Sequence, residues 1–210
     1  MGAFESAGPT YAAQRPGKAD GRRSALPSLA PMTLDRAFLD PSLTLLRGEW
    51  LPKIEASAEA LGEYGFWWRP NERTNSAGTL CVHLAGNLRQ WIVAGLGGAP
   101  DARDRPAEFA TTGGRSAADV LTALRAAVEE ACAVIDGLDE AALLRTYAIQ
   151  GREPTGLQAV YHAVEHFAMH AGQIVWIAKA RGGAIRFYED DPEGRAHLLW
   201  TATPEGPVAP

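Results

Sequence analysis

Four segments of the chain repeat their apolar residues with the period of an α-helix, and this repetition limits the fold more than any other feature of the sequence. The segments cover approximately residues 34–61, 76–96, 116–138 and 155–183, so each is about twenty residues long or longer. No alternation of strands and helices and no internal repeat competes with this pattern. Amphipathic helices of this length bury their apolar faces against one another, which predicts an all-α protein built as a helix bundle.

Local signals place the ends of these helices. Thr155 and Gln158 match the T-x-x-Q pattern of a capping box, which predicts a helix that begins just after Thr155. The glycines at 97–98 are expected to end the second helix. Pro41 and Pro52 lie inside the first segment and are expected to delay or kink that helix, because proline lacks the N–H that an interior helical turn requires.

The remaining segments differ in composition. Residues 1–32 are rich in proline, glycine and serine and are expected to form a disordered tail, which leaves 33–190 as the bundle domain and 191–210 as an irregular extension. Residues 145–151 favour irregular or short extended structure that folds over one end of the bundle. The loop 97–114 is long and locally dense in charge, as functional lids often are.

Charge and cysteine content restrict the partners. The formal net charge of −5 provides no basic surface for nucleic acid, and no run approaches the roughly 18 apolar residues of a membrane span. We therefore expect neither nucleic acid nor a membrane as a partner. Cys81 and Cys132 lack the spacing of a metal site or a disulfide framework, which suits a protein of the reducing cytoplasm.

Three of the five histidines, His162, His166 and His170, follow one another at four-residue spacing in the last helix. Residues four apart lie on one helix face about 6 Å from each other, whereas residues eight apart are about 12 Å apart. One pair can therefore share an ion, but all three cannot, and spacing alone does not choose between the two pairs. His83 is the histidine that another predicted helix of the bundle supplies as a third ligand, since His197 lies in the irregular C-terminal region.

A set of three neutral imidazoles indicates catalytic metal chemistry more than structural metal chemistry, because a water or substrate atom completes the coordination. A divalent ion makes such a bound group acidic. Zinc, nickel, iron and manganese all accept imidazole ligands. The alternative is that the histidines are hydrogen-bonded packing residues without a metal.

Other polar residues extend the candidate site. Arg103 and Arg105, in the charged loop, are candidates to bind a substrate carboxylate in bidentate fashion, against the alternative of a solvated loop. Glu165 follows the pattern of a general base beside His166, but as its sequence neighbour it points about 100° away on the helix, which argues against that role.

Five pieces of the sequence, in their order and spacing, resemble the DinB-like superfamily, and among its branches the DUF1572 group most closely. The resemblance extends from about Leu34 to Tyr188, and the pieces are residues 67–72, 79–87, 103–109, 149–151 and 164–174.

This resemblance implies a four-helix bundle with an up-down-down-up arrangement. It also implies a divalent metal held by one histidine of the second helix and by the H-x-x-x-H that precedes Gly-Gln in the last helix. In this sequence those residues are His83, His166 and His170. His162 would then lie beside the site or line its mouth, and Gln173 and Asn87 are expected in the same pocket.

Members of the resembled superfamily include transferases and isomerases that use a low-molecular-weight thiol such as bacillithiol or mycothiol. The resemblance thus implies a divalent-metal-dependent transferase that activates such a thiol for attack on a small electrophilic substrate, and a homodimer. Two alternatives stay open: a hydrolase that uses metal-activated water, and a non-catalytic binding module that the metal stabilises.

Overall fold

Six helices and one two-stranded antiparallel sheet make up residues 32–199, the part of the chain that the computed structural model describes. The predicted tail, 1–32, lies almost wholly outside the described residues, as does the stretch 200–210. The helices are α1 (34–66), α2 (77–94), α3 (Arg105–Ala110), α4 (Ala117–Asp136), α5 (Glu140–Leu144) and α6 (Gly156–Ala180), and the strands are β1 (Tyr188–Asp190) and β2 (Ala196–Leu198). Within residues 32–199, no helix combines the length and the apolar character that a membrane crossing requires.

The N-termini of the three later long helices follow from their first residues. Ser76 Oγ accepts a hydrogen bond from the backbone N–H of Thr79, and Ser116 does the same for Asp119. At the start of α6, Thr155 accepts from the N–H of Gln158, whose side chain accepts from the N–H of Thr155 in return. These caps satisfy backbone donors that the first helical turn leaves without partners, and they confirm the predicted starts.

The first two helices change type along their length. In α1, a π-helical segment Thr44–Trp50 separates the α-helical parts Leu34–Leu43 and Leu51–Phe66, and α2 ends in a second π-helical segment, Arg89–Ala94. Pro41 lies inside the first α-helical part, and Pro52 follows the π-helical segment without a break in the helix. The kink in α1 is instead at Gly62, whose φ of 60° and ψ of 178° are not helical, rather than at either proline.

The four long helices enclose the core. Helix α1 packs against α4 and α6, and α2 also packs against α4 and α6. Side chains from all four are fully buried where these helices meet, among them Leu46, Ile54, Leu84, Leu88, Leu124, Val128, Phe167 and Ile174. The mostly helical fold is confirmed, and this packing holds α2 against α6, the two helices that carry the candidate ligands.

Two connections differ from simple loops. The segment 97–114 contains α3, which packs against α2 and is capped by the Asp104 carboxylate. Residues 146–155 form a narrow hairpin in which Ile149 and Arg152 exchange both backbone hydrogen bonds at 2.9 Å. The hairpin confirms the predicted extended structure before α6.

The C-terminal part of the described chain is a hairpin, so the prediction of an irregular extension from residue 191 is wrong for residues 191–199. Strands β1 and β2 pair with Glu189 opposite His197. Between the strands, the Asp191 carboxylate accepts hydrogen bonds from Arg195, from His197 and from the backbone N–H of Glu193. These contacts form the turn. The segment lacks the alternation of apolar and polar residues that predicts strands, so the sequence did not indicate this hairpin.

A buried lysine ties this hairpin to α1. Lys53 Nζ donates to Glu49 Oε1 and to Tyr188 Oη, each at 2.6 Å, and lies 4.4 Å from the centre of the Trp50 ring. Burial acts to lower the pKa of Lys53, but the hydrogen bonds with Glu49 and Tyr188 outweigh burial and raise it, so the ammonium stays charged.

Candidate metal centre

The structure brings the three predicted ligands together at the interface of two helices. His83 comes from α2, and His166 and His170 come from α6. One ring nitrogen of each histidine lies within 4.8 Å of a ring nitrogen of the other two. The closest pair is Nε2 of His83 and Nε2 of His166, which are 3.1 Å apart.

His162 lies outside this cluster. Its ring packs against Trp91, with 4.0 Å between the ring centres, and its centre is 5.4 Å from that of His166. His170, in contrast, lies 4.5 Å from His166 and 5.2 Å from His83 between ring centres. Of the two pairs that spacing allows, the structure therefore groups His166 and His170 with His83.

A buried carboxylate orients His83. Nδ1 of His83 is 2.8 Å from Oε2 of Glu108, which is only 7% exposed. Burial acts to raise the pKa of Glu108, but hydrogen bonds from Arg103 and His83 outweigh burial and lower it, so the carboxylate is ionised and accepts hydrogen bonds only. His83 must then donate from Nδ1, which leaves the lone pair of Nε2 directed at the other two histidines.

Arg103 holds the carboxylate in this position. Its Nε donates to Glu108 Oε1 at 2.7 Å and its Nη2 donates to Oε2 at 2.8 Å, while its Nη1 donates to Gln90 at 2.9 Å. The side chain of Arg103 is only 4% exposed. The structure thus places this predicted substrate-binding residue behind His83, where Glu108 compensates its charge.

Glu108 was not identified from the sequence. A signal was present, because Asp104 followed by Pro106 is the pattern of a helix N-terminus within the loop 97–114. That short helix, α3, carries Glu108 to α2, beside Gly86. The contact with His83 depends on the path of the loop, which spacing along the chain does not give.

The other predicted ligands have different surroundings. Nδ1 of His170 donates to Oε1 of Gln173 at 2.7 Å, so Nε2 of His170 is free to bind an ion. Nδ1 of His166 is buried and has no hydrogen-bond partner among the described residues. Burial, followed by the neighbouring His170 and His83, lowers the pKa of His166 to about 3, and burial also lowers the pKa of His170. Both rings are therefore neutral near pH 7, as metal ligation requires.

One pair of ring nitrogens in the cluster has the separation that a shared divalent metal ion requires. Imidazole nitrogens bind zinc at about 2.0–2.1 Å, so two nitrogens on one ion are about 2.9–3.4 Å apart for bond angles of about 90–110°. The 3.1 Å between Nε2 of His83 and Nε2 of His166 falls within this range. The donor set also agrees, because three imidazoles match first-row divalent ions.

A small cavity of about 230 Å³ adjoins the cluster. Its lining is His83, Asn87, Arg103, Arg105, Gln150, Arg152, His162 and His166, with three arginines and no carboxylate. Asn87 is 4% exposed, and its side-chain amide forms no hydrogen bond with any described residue. The predicted neighbours thus lie on two sides of the histidines: Asn87 and His162 line the cavity, and Gln173 contacts His170.

A family model described as "Protein of unknown function (DUF1572)" matches residues 47–184 of the chain. The chain belongs to the DUF1572 family. The DUF1572 match includes the three histidines, Glu108 and the residues that line the cavity. No curated protein matches the chain.

The chemistry available to this DUF1572 protein follows from the charges around the site. Three neutral imidazoles would leave the charge of a divalent ion uncompensated by its protein ligands, which favours binding of an anionic or polarisable group in the open positions. The nearest carboxylate, Glu108, is already paired with Arg103 and His83. With such an ion bound, the site would offer a Lewis acid beside a cationic cavity.

Proposed function

We propose that this DUF1572 protein is a divalent-metal-dependent transferase that activates a low-molecular-weight thiol for attack on a small electrophilic substrate. The observation that carries the proposal is the convergence of His83, His166 and His170, with 3.1 Å between the closest ring nitrogens. The ion is zinc, nickel, iron or manganese, all of which bind imidazole.

The proposal includes the DinB-like four-helix bundle with its up-down-down-up arrangement. In support, α1 and α2 each contact both α4 and α6, which is the pairing expected when four long helices surround one core. The proposed cytoplasmic location is supported by Cys81 and Cys132, which are both free and buried.

Thiol chemistry suits the surroundings better than hydrolysis does. A bound divalent ion would favour the thiolate form of a thiol. A free thiol ionises with a pKa near 8.5, whereas water ionises near 15.7, so a thiol depends far less on a protein base. The cavity lining contains no carboxylate, Glu108 is engaged by Arg103, and Glu165 is exposed on α6. These features favour the transferase over the metal-dependent hydrolase.

Metal content and thiol dependence test this function together. We expect about one equivalent of a divalent metal per chain in elemental analysis of the purified protein, as a single three-histidine site requires. We also expect conjugation of an aryl halide electrophile by the metal-loaded protein only when a thiol is added, and loss of that activity after chelation. Product formed with water in place of the thiol would favour the hydrolase, and a protein with metal but no reaction would favour the binding module. A protein without affinity for divalent metals would contradict the transferase, the hydrolase and the metal-stabilised binding module alike.

The proposed homodimer has a candidate surface on α6. The apolar residues exposed along this helix are Leu157, Tyr161, Met169 and Trp176. We expect Trp176→Glu to weaken self-association by at least about tenfold, because aromatic anchors carry much of the energy of an interface. Sedimentation equilibrium measures the effect, with Tyr64→Glu, an exposed tyrosine of α1, as the matched control. A wild-type chain that sediments as a monomer would contradict the dimer.

A further inference from the structure

Two arginines at the cavity carry charge that no described residue balances. Arg105 and Arg152 both line the cavity beside His83 and His166, both are exposed, and neither forms an ion pair with a described residue. The guanidinium of Arg105 is 4.8 Å from the centre of the Phe109 ring. This cation–π contact stabilises the guanidinium but does not neutralise its charge. Arg103 differs, since Glu108 compensates its charge.

The backbone presents Arg152 from the tip of the hairpin. Gln150 and Gly151 have φ angles of 52° and 71°, so the two-residue turn between Ile149 and Arg152 has the left-handed backbone of a tight hairpin turn. Gln150 is the one described non-glycine residue with a positive φ, and such a conformation persists only where the surroundings enforce it.

Contacts with α2 are what enforce this turn. The Ile149 side chain is buried against Gly95, where a Cβ would lie 2.6 Å from Cδ1 of Ile149. Trp91 Nε1 donates to Oε1 of Gln150 at 3.1 Å. The hairpin tip is thereby fixed to α2 next to the histidine cluster, and Arg152 is held at the cavity.

A polar side chain of α2 completes the cavity lining. The Asn87 side chain is nearly buried, lines the cavity and forms no hydrogen bond with a described residue, while its amide atoms remain accessible to solvent. The amide is therefore available to donate a hydrogen bond to a ligand in the cavity. An anion with several oxygen atoms would accept hydrogen bonds from this amide and from both arginines.

We propose that Arg105 and Arg152 bind an anionic group, a carboxylate or a phosphate, of the small molecule that reacts at the histidine cluster, and that Asn87 donates to the same group. The volume of about 230 Å³ is below the roughly 300–1,000 Å³ of pockets for drug-sized ligands, so the molecule is small. This inference rests on the proposed function because it takes the bound metal from it. Binding of the anion does not depend on whether the protein transfers a thiol. The anion belongs either to the thiol or to the electrophile.

Calorimetry on the zinc-loaded protein tests the anion site and its source. The probes are 3-mercaptopropionate, 2-mercaptoethanol, which lacks the carboxylate, and propionate, which lacks the thiol. The variants are Arg105→Gln and Arg152→Gln, with Arg145→Gln as the matched control. Arg145 belongs to the same hairpin region, stacks on Tyr147 and does not line the cavity. Zinc content of each variant is measured first and is expected to equal that of the wild type.

If the thiol carries the anion, wild-type protein binds 3-mercaptopropionate about tenfold or more tightly than 2-mercaptoethanol, and each cavity variant removes that preference. If the electrophile carries it, the two thiols bind equally, and propionate binds to the protein saturated with 2-mercaptoethanol but not to the cavity variants. Either result supports the anion site, provided that Arg145→Gln behaves as the wild type. Equal binding of all probes by wild type and cavity variants overturns it. Failure of the wild type to take up zinc instead contradicts the proposed function.

Discussion

Substitution of His166 by alanine is expected to weaken binding of a divalent metal by more than about a hundredfold. Removal of a group that merely orients a ligand costs about 10–100-fold in affinity, and loss of one of three ligands costs more. His166 is the ring whose Nε2 approaches Nε2 of His83, and its ring centre is 4.5 Å from that of His170. Isothermal titration calorimetry with zinc measures the change.

His162→Ala is the matched control, because His162 precedes His166 by one helical turn on α6 but packs against Trp91. We expect it to keep its metal. Zinc should also raise the melting temperature of the wild type and of His162→Ala, since a ligand that binds only the folded state stabilises it, but not that of His166→Ala. Equal affinity in the two variants would contradict a centre built on His83, His166 and His170. His83→Ala should match His166→Ala, because both helices supply ligands.

Substitution of Gly86 by alanine is expected to lower the free energy of unfolding by about 2–4 kcal/mol and to weaken metal binding by about 10–100-fold. A Cβ at position 86 would overlap the carboxylate of Glu108, 2.7 Å from its Cδ, and would lie 3.3 Å from Nε of Arg103. The carboxylate would have to move, and its hydrogen bond with His83 would be lost. Urea unfolding and calorimetry with zinc measure the two effects.

Gly172→Ala is the control for this change, because position 172 lies on α6 two residues after His170 and a Cβ there meets no atom within 4 Å. We expect that variant to bind zinc normally and to be as stable as the wild type, or more stable by up to about 1 kcal/mol, since alanine favours a helix over glycine. A Gly86→Ala protein with unchanged zinc affinity would show that Glu108 does not orient His83.

Local patterns predicted the helices, because caps such as Thr155 with Gln158 and apolar periodicity act over a few residues. The choice between the two histidine pairs on α6 was beyond such patterns. It depends on where α2 packs, since Trp91 of α2 meets His162 and His83 of α2 meets the other two histidines.

The residues that surround the cluster show the same limit. Glu108 and Arg152 reach the site through α3 and through the hairpin, and neither path follows from spacing along the chain. Arg103 and Arg105 are two residues apart in the same loop, yet one is buried beside Glu108 and the other is exposed at the cavity. The sequence indicated both arginines as candidates, whereas tertiary packing places Arg103 against Glu108 and Arg105 at the open cavity. That a metal occupies the cluster stays a prediction.

The π-helical end of α2 makes the length of this helix part of the site. A π-helical segment carries one residue more than an α-helix of the same span, and each residue of an α-helix turns the chain by about 100°. Loss of one residue from the α-helical part between His83 and Arg89 would therefore turn Gly95 by about 100° away from Ile149. The hairpin that carries Arg152 would then lose its contact with α2, although none of its own residues had changed. Loss of one residue within Arg89–Ala94 would instead regularise the helix and leave Gly95 close to its present position. Family members with an arginine at this turn should accordingly keep the residue count between His83 and Arg89.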